Sequence, residues 1–308
     1  MEHILARPAL PDHVEDSGHW WRRHQTLRSA LELPIERAIV GGFRADRPAY
    51  AFAAGYQEAL RELLGVQGSA LDDERLALTA TEREGNHPAA IRSSLRPQED
   101  GFVLTGEKTW ATEANRLVVI ASTGSDPDGR NRLAAILVPT ERVGVSTRPH
   151  DNPSPLVPEI PHLMVRFDGV TVDPHDVLPG DGYERYLRPF RSIEDLHVHA
   201  ALLAWLFRIG RSSGWSSDLC ERLLNTLLAA TSLGSLDPSS PATHVALAGF
   251  LGQGRLLVEE AEAQPSWVDE ASRRRWLRDR RLMSIASSAR ERRRENAWRK
   301  LASSSPAP

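Results

Sequence analysis

The sequence predicts an α+β protein in which a helical N-terminal region, a small all-β middle domain and a C-terminal four-helix bundle follow one another. The apolar residues change from helical spacing to short strand-like runs near residue 76 and return to helical spacing near residue 181. With 308 residues, the chain is also longer than one hydrophobic core usually supports. We therefore predict three domains, over residues 1–75, 76–180 and 181–308.

The composition predicts a soluble globular protein, because 41% of the residues are hydrophobic and 26% are charged. No apolar run approaches the roughly 20 residues that cross a bilayer, and the N-terminus lacks the basic and apolar regions of a secretory signal. We expect a cytoplasmic protein. The single cysteine, Cys220, excludes an intrachain disulfide and a cysteine-based zinc cluster, and no histidine pattern of a metal site occurs, so we expect no metal.

The first and last domains consist of segments with apolar residues three and four positions apart, the spacing of amphipathic helices. In the first domain these segments are HWWRRHQTLRSALEL, PIERAIVGGF and DRPAYAFAAGYQEALRELLG. In the last domain we predict helices over residues 183–212, 216–233, 241–263 and 267–300. Short connections between four helices favour an antiparallel bundle.

The middle domain contains short runs rich in Val, Ile, Leu and Phe, separated by turn-forming pieces such as GSDPDGRN. The runs are GFVLTG, RLVVIAST, RLAAILVP, VGVSTR and HLMVRFDGVTV. They predict strands, whose arrangement as a sandwich or a barrel stays open.

A tryptophan and a threonine two residues apart stand out in the polar stretch GEKTWATEAN, residues 106–115. In a strand this spacing places Trp110 and Thr112 on the same face, because side chains alternate. Taken alone, such a pair is typical of a strand core. Together with the neighbouring motifs, the pair favours a second interpretation, in which the Trp110 indole and the Thr112 hydroxyl both contact a bound ligand.

Two longer stretches of the middle domain resemble the acyl-CoA dehydrogenase family. Residues 76–122, LALTATEREGNHPAAIRSSLRPQEDGFVLTGEKTWATEANRLVVIAS, are similar to the opening of that family's middle domain, with a Thr-Glu turn, a strand and a G-x-K-x-W-x-T motif. Residues 166–183, RFDGVTVDPHDVLPGDGY, are similar to the family's exit into the C-terminal bundle. The domain order resembles the family as well, which implies an acyl-CoA dehydrogenase-like fold.

The resemblance implies FAD as the cofactor. Trp110 would stack near the flavin ring and Thr112 would hydrogen-bond its edge, while Thr79 or Thr81 would supply the contact from the Thr-Glu turn. Arg211, in GRSSGWSS, is the candidate for the contact with the cofactor pyrophosphate. A redox ring needs apolar cover to exclude water and a hydroxyl donor to tune its electron density, which these residue types provide.

Flavin-dependent α,β-desaturation also needs a carboxylate within hydrogen-bond reach of the α-proton. Residues 264–308 contain no match to the loop that carries this glutamate in most family members. A minority of members carry it on the first long helix of the C-terminal bundle, where this chain has Glu194 and Asp195. Glu194 is the leading candidate for the base and Asp195 the second, although acidic residues on a helix are more often solvated.

The last predicted helix is strongly basic. Residues 273–300 contain 12 Arg or Lys and three Asp or Glu, a local net charge near +9 in a chain whose net charge is −3. This asymmetry predicts an anionic partner, such as the phosphates of CoA or FAD, another subunit or nucleic acid. Charged helix faces are usually only solvated, and the segment lacks a nucleic-acid-binding fold motif, so we do not favour nucleic acid.

Together, the residues and the resemblance predict a flavin-dependent, acyl-CoA dehydrogenase-like oxidoreductase that forms a double bond in an acyl thioester. The resemblance also implies a homo-oligomer that passes electrons to an electron-transfer flavoprotein or a similar acceptor, without a membrane partner. The alternative is a non-catalytic family member that serves as a partner subunit or an interaction module. A weaker alternative is a nucleic-acid-binding protein that uses the last helix.

Overall fold

The computed structural model describes residues 2–5, 13–66, 69–152 and 154–304. The chain divides into two units. The helical unit comprises Met1–Glu62, Pro155–Glu159 and Ser192–Pro308, and the β unit comprises Leu63–Ser154 and Ile160–Arg191. The helical unit thus contains both the N-terminal and the C-terminal helices. The predicted class is confirmed: helices come first, strands occupy the middle and helices follow to the end.

The α-helices are α1 Glu2–Leu5, α2 Ser17–Gln25, α3 Pro34–Arg44, α4 Pro48–Leu64, α5 Arg188–Ser213, α6 Ser217–Gly234, α7 Pro241–Glu262, α8 Glu270–Asp279 and α9 Ser287–Ser304. A π-helical turn, Tyr183–Leu187, leads into α5. No helix within the described ranges is long and apolar enough to span a membrane.

Helix α5 forms the centre of the helical unit, since every side chain from Ala200 to Ile209 is buried. Helices that are apolar all round belong in a core. The backbones of α3 and α4 approach α5 so closely that a Cβ on Gly42 would lie 2.1 Å from the Ala201 carbonyl oxygen. A Cβ on Gly55 would lie 2.6 Å from the Cα of Val198. Only glycine fits at these two crossing points.

Glu58 on α4 is a buried carboxylate held by side chains of two neighbouring helices. Its Oε1 lies 2.8 Å from Nε2 of His24 on α2, and its Oε2 accepts a 2.7 Å hydrogen bond from Nε of Arg37 on α3. Burial alone would raise the pKa of Glu58, but His24, Arg61 and Arg37 lower it to about 2. The carboxylate therefore stays charged and joins α2, α3 and α4.

The C-terminal basic segment is two helices, α8 and α9, so the prediction of one helix over residues 267–300 is wrong. Between them, Ala286 has a φ of 63°, in the left-handed region. The Met283 carbonyl accepts a 2.6 Å hydrogen bond from Nη1 of Arg290 and lies 3.1 Å from Nε2 of His199 on α5. Side chains thus engage a carbonyl that a continuous helix would pair internally, and helical periodicity does not reveal such contacts.

The β unit is built on one sheet, with seven strands among the described residues. They are β1 Leu76–Thr79, β2 Ser94–Gln98, β3 Gly101–Thr112, β4 Arg116–Ser125, β5 Asn131–Pro139, β6 Val145–Pro149 and β7 His162–Val172. Their order is β1-β4-β2-β3-β7-β6, and β5 pairs with β4. The β3–β7, β6–β7 and β4–β5 pairs are antiparallel, and β1 runs parallel to β4. Each of the five predicted apolar runs contributes to a strand.

Strand β4 is buried on both faces and separates two apolar clusters. Leu117 and Val119 belong to one cluster, whereas Val118 and Ile120 belong to the other. This explains why the run RLVVIAST is continuously apolar instead of alternating, as strands covered on both sides are.

The buried histidines of α5 predict that stability falls in weakly acidic solution. Burial lowers the pKa of His197 and of His199 from 6.5 to about 4, so between these values the unfolded chain binds protons that the folded chain does not. Stability that is present above pH 6.5 is therefore lost as the pH falls toward 4, by about 3 kcal/mol for each histidine. Urea unfolding at several pH values should show this loss, and His199→Gln should reduce its slope.

The matched control is His175→Gln, at an exposed position in the β unit, which should leave the slope unchanged. A free energy of unfolding that stays constant over this pH range would contradict the prediction.

Candidate functional site

The Trp110 and Thr112 pair lies at the end of strand β3, next to a bulge. The register of β3 with β7 shifts between Lys108 and Ala111, after which Thr112 pairs with His162. Ala111 points into an apolar cluster of the sheet. Because Trp110 also contacts the His162 ring, Trp110 and Thr112 share one face of β3, opposite Ala111.

This face carries a polar group that lacks a partner. The Thr112 hydroxyl is buried and has no hydrogen-bond partner in the part of the chain that the structure describes. Beside it, the half-buried Trp110 ring lies with its centroid 4.5 Å from that of His162 and 4.8 Å from that of His150. Burial and the charge of His150 lower the pKa of His162. A buried hydroxyl of this kind calls for a partner from outside the protein.

A buried ion pair fixes the Thr-Glu turn against β3. Nζ of Lys108 donates 2.6 Å hydrogen bonds to Oε1 of Glu82 and to the Ile120 carbonyl. The Glu82 carboxylate also accepts backbone N–H bonds from Arg92 at 2.7 Å and Ser93 at 3.0 Å. Burial raises the pKa of Glu82, but the charge of Lys108 and these hydrogen bonds lower it below its usual value. Burial lowers the pKa of Lys108, and the charge and hydrogen bond of Glu82 oppose that shift.

The two threonines predicted to contact the cofactor from the turn differ in whether their hydroxyls already form a hydrogen bond within the chain. Thr79 is fully buried, and its hydroxyl donates to the Val118 carbonyl at 3.4 Å. Thr81 is half-buried, and within the described residues its hydroxyl has no hydrogen-bond partner. The Thr81 carbonyl accepts a 2.9 Å bond from the N–H of Thr109, which directly precedes Trp110. This arrangement favours Thr81 over Thr79.

Glu194 and Asp195 are adjacent half-buried residues of α5. Oδ1 of Asp195 accepts a 2.8 Å hydrogen bond from Nε of Arg290, and its Oδ2 pairs with Arg293 of α9. Both oxygens of Asp195 therefore hold α9 to α5. Glu194 is half-buried, and it stays the first candidate for a base because it is the glutamate at the place on α5 that the family resemblance implies.

Arg211, the predicted pyrophosphate contact, binds main-chain atoms of the N-terminal helix. Its Nη1 donates to the carbonyls of Ile4 at 3.0 Å and Leu5 at 2.9 Å. Its guanidinium also lies 5.7 Å from the Phe207 ring centroid. These contacts give Arg211 a structural role within the helical unit, and the pyrophosphate contact stays a prediction.

The basic C-terminal segment is partly neutralised inside the helical unit. At least five of its cations form ion pairs with carboxylates. The pairs are Arg278 with Glu159 and Asp279, Arg280 with Glu262, Arg290 and Arg293 with Asp195, and Arg294 with Glu291. The formal charge of the segment thus overstates what is left for an anionic partner.

Comparisons with known proteins agree on the fold. A stretch of 71 residues, 22% of this chain, is 34% identical to the probable acyl-CoA dehydrogenase YngJ of Bacillus subtilis (strain 168), and it spans 19% of that protein. The structure of butyryl-CoA dehydrogenase from Megasphaera elsdenii matches with a TM-score of 0.66 at 12% identity, over 92% of this chain and 90% of that chain. The FAD complex of PigA matches with a TM-score of 0.62 at 14% identity, over 92% and 89%. The chain has the acyl-CoA dehydrogenase fold.

No family model matches the sequence. The chain shares the acyl-CoA dehydrogenase fold with these two structures at 12% and 14% identity, and a shared fold at such identity does not determine the reaction. The resemblance found in the sequence is confirmed at this level.

The acyl-CoA dehydrogenase fold also brings together residues that the sequence did not single out. Glu82 lies in the Thr-Glu turn and Lys108 in the G-x-K-x-W-x-T motif of residues 76–122, so a contact between these two motifs could have been inferred from their opposite charges. His150 and His162 carry no comparable local signal. They meet Trp110 only because the ends of β6 and β7 lie next to each other and β7 pairs with β3.

The Lys108–Glu82 pair predicts a strong and specific loss of stability. Lys108→Met leaves the Glu82 carboxylate buried without its cation, which should lower the free energy of unfolding by about 3 kcal/mol. Urea unfolding measures the change. Arg166→Met is the control, because Arg166 on β7 is exposed and lies 3.8 Å from the exposed Asp168. The control should change stability by less than about 1 kcal/mol, and equal losses in the two variants would refute the assignment.

Proposed function

We propose that the chain is an FAD-dependent oxidoreductase that forms an α,β double bond in an acyl thioester. The observation that carries the proposal is the buried Thr112 hydroxyl, which lacks a hydrogen-bond partner among the described residues and shares a face of β3 with Trp110. The fold adds support, since one structure that shares it is an FAD complex and another is a butyryl-CoA dehydrogenase.

The residues on this face fit a flavin ring. A hydroxyl can donate a hydrogen bond to a heteroatom at the ring edge, and an indole can keep water away from the ring. Thr112 and Trp110 provide these two groups, and Thr81 provides a second hydroxyl on the turn that Lys108 and Glu82 hold. These three residues would bind the ring. Thr79 is the poorer candidate, because its hydroxyl already bonds a carbonyl of the sheet.

In the proposed reaction the α-carbon of the thioester loses a proton, the β-carbon loses a hydride, and a double bond forms between them. FAD, when bound, supplies the acceptor for the hydride. The chain has to supply the base that takes the α-proton, and we assign this role to Glu194. Asp195 is the second choice because two arginines engage its carboxylate. The family resemblance favours a homo-oligomer and an electron-transfer flavoprotein or a similar acceptor.

A non-catalytic partner subunit or interaction module is the second candidate. It is favoured by Arg211 and Asp195, whose charged groups are engaged in contacts within the helical unit. Cofactor binding separates the two candidates, because the oxidoreductase requires FAD and the module does not.

FAD titration of the purified protein tests the cofactor site. Flavin fluorescence should be quenched on binding, and Thr112→Val should weaken the affinity about tenfold, the effect of removing one hydrogen bond without changing the shape of the side chain. Thr105→Val, at an exposed position on the same strand, should bind FAD as the native chain does. A native protein that is colourless after excess FAD has been removed would exclude the oxidoreductase and favour the non-catalytic partner subunit or interaction module.

The base assignment is tested in the FAD-loaded protein with a series of acyl-CoA thioesters. Substrate should bleach the flavin absorption, and Glu194→Gln should slow this by at least about 100-fold while FAD stays bound. Glu221→Gln, an exposed carboxylate on α6, is the control and should not slow it. Bleaching at the native rate in Glu194→Gln would remove the assignment, and a loss in Asp195→Asn alone would transfer it.

A further inference from the structure

The helical unit contains a small cavity that the proposed reaction does not use. It is lined by the C-terminal end of α4, the first turns of α5 and α7, and the C-terminal end of α6, and its volume is about 30 Å³. Most of its wall is apolar, with Ile193, Leu196, Leu233, Leu236, Pro238 and Leu247. About 10–15 Å³ holds one water molecule, so the cavity admits roughly two or three small groups.

Four polar side chains line the same cavity: Glu62, Ser192, His197 and Thr243. Ser192 and Thr243 are buried, with 4% and 7% of their surface exposed. Their hydroxyls, and the Glu62 carboxylate, have no hydrogen-bond or ion-pair partner in the ranges that the structure describes. Among these four residues, His197 has a ring nitrogen that is buried without a partner in the described ranges, and such an atom calls for a ligand or for ordered water.

His197 adds a fixed acceptor to this group. Its Nδ1 lies 2.9 Å from the Ile193 carbonyl, which can only accept, so Nδ1 carries the proton. Burial lowers the pKa of His197 to about 4, so the imidazole is neutral at neutral pH. Its Nε2 then presents a lone pair, and this buried nitrogen has no partner among the described residues.

The cavity therefore offers hydrogen-bond acceptors and one carboxyl group. Glu62 is the one carboxyl among the residues described as lining it, and burial raises its pKa above the usual value, although the charge of Arg37 opposes this shift. The hydroxyls of Ser192 and Thr243 can accept or donate. A compact cation with several N–H donors would complement these groups. A carboxylate ligand would instead face Glu62 and the lone pair of His197.

We propose that this cavity binds a small primary alkylammonium ion, whose N–H groups bond Glu62, His197 and a hydroxyl of Ser192 or Thr243. The six apolar residues of the wall would surround a short alkyl chain. Leu236 is 47% exposed and marks the solvent side of the cavity, so a chain of two or three carbons can extend past it. The site belongs to the helical unit alone and does not rest on the proposed redox function.

Calorimetry on the full-length protein with ethylammonium and propylammonium chloride at constant ionic strength tests the proposal. Both ions should bind and raise the melting temperature, as any ligand of the folded state does. Ethanol, propanol and propionate, which match them in size, should bind at least about tenfold more weakly, since they lack the charge or carry the opposite one. Absence of heat and of any shift with the ammonium ions, as expected for a cavity that holds only water, would overturn it.

Two variants and one control locate the binding. Glu62→Gln should weaken ethylammonium binding at least about tenfold, and Thr243→Val, which keeps the side-chain shape, should weaken it about threefold. Glu221→Gln on α6 should bind as the native chain does. Equal affinity of the native chain for ethylammonium and ethanol, or unchanged affinity in both cavity variants, would also overturn the proposal, and Thr243→Val keeps it testable if Glu62→Gln does not fold.

Discussion

The buried contact between Lys108 and Glu82 is the interaction on which the candidate site of the β unit depends. Taking two charges out of water costs several kcal/mol for each ion, and a buried pair persists only when further hydrogen bonds satisfy both groups. Here Glu82 also binds two backbone N–H groups, and Lys108 also binds the Ile120 carbonyl. The turn that carries Thr81 is thereby fixed against the strand that carries Trp110, and the hydroxyl and the indole are held by the same contact.

The helical unit follows the same rule at two other carboxylates. Glu58 is held by His24 and Arg37, and Asp195 by two arginines of α9. In each case the carboxylate links helices, because its oxygens bind side chains that other helices provide. The Glu62 carboxyl accepts no hydrogen bond from a side chain among the described residues, and Arg37 acts on it only through its charge. It therefore differs in kind from the carboxylates that hold the fold together, although it lies only one turn of helix beyond Glu58.

The fold class was predictable because it depends on periodicity, which is local. Strand alternation also predicted that Trp110 and Thr112 share a face, since that requires only a spacing of two. The break between α8 and α9 was not predictable, because it involves His199, which is 84 residues away from Met283 along the chain. The wall that His162 forms beside Trp110 depends on strand register in the same way. Periodicity within a segment contains no information on such contacts.

Unsatisfied polar groups connect structure with function in both units. A buried hydroxyl without a partner costs about 1–3 kcal/mol, and valine has nearly the shape of threonine without that cost. The Thr112 hydroxyl carries this cost, because it is buried without a partner among the described residues, and the proposed flavin contact would remove it. The ligands proposed for the two sites differ chemically. Thr112 lies beside an indole and neutral imidazole, which suits the edge of a flat ring, whereas Thr243 lies with a carboxylate and a lone pair, which suits a cation. The two proposed ligands therefore suit different sites of the chain.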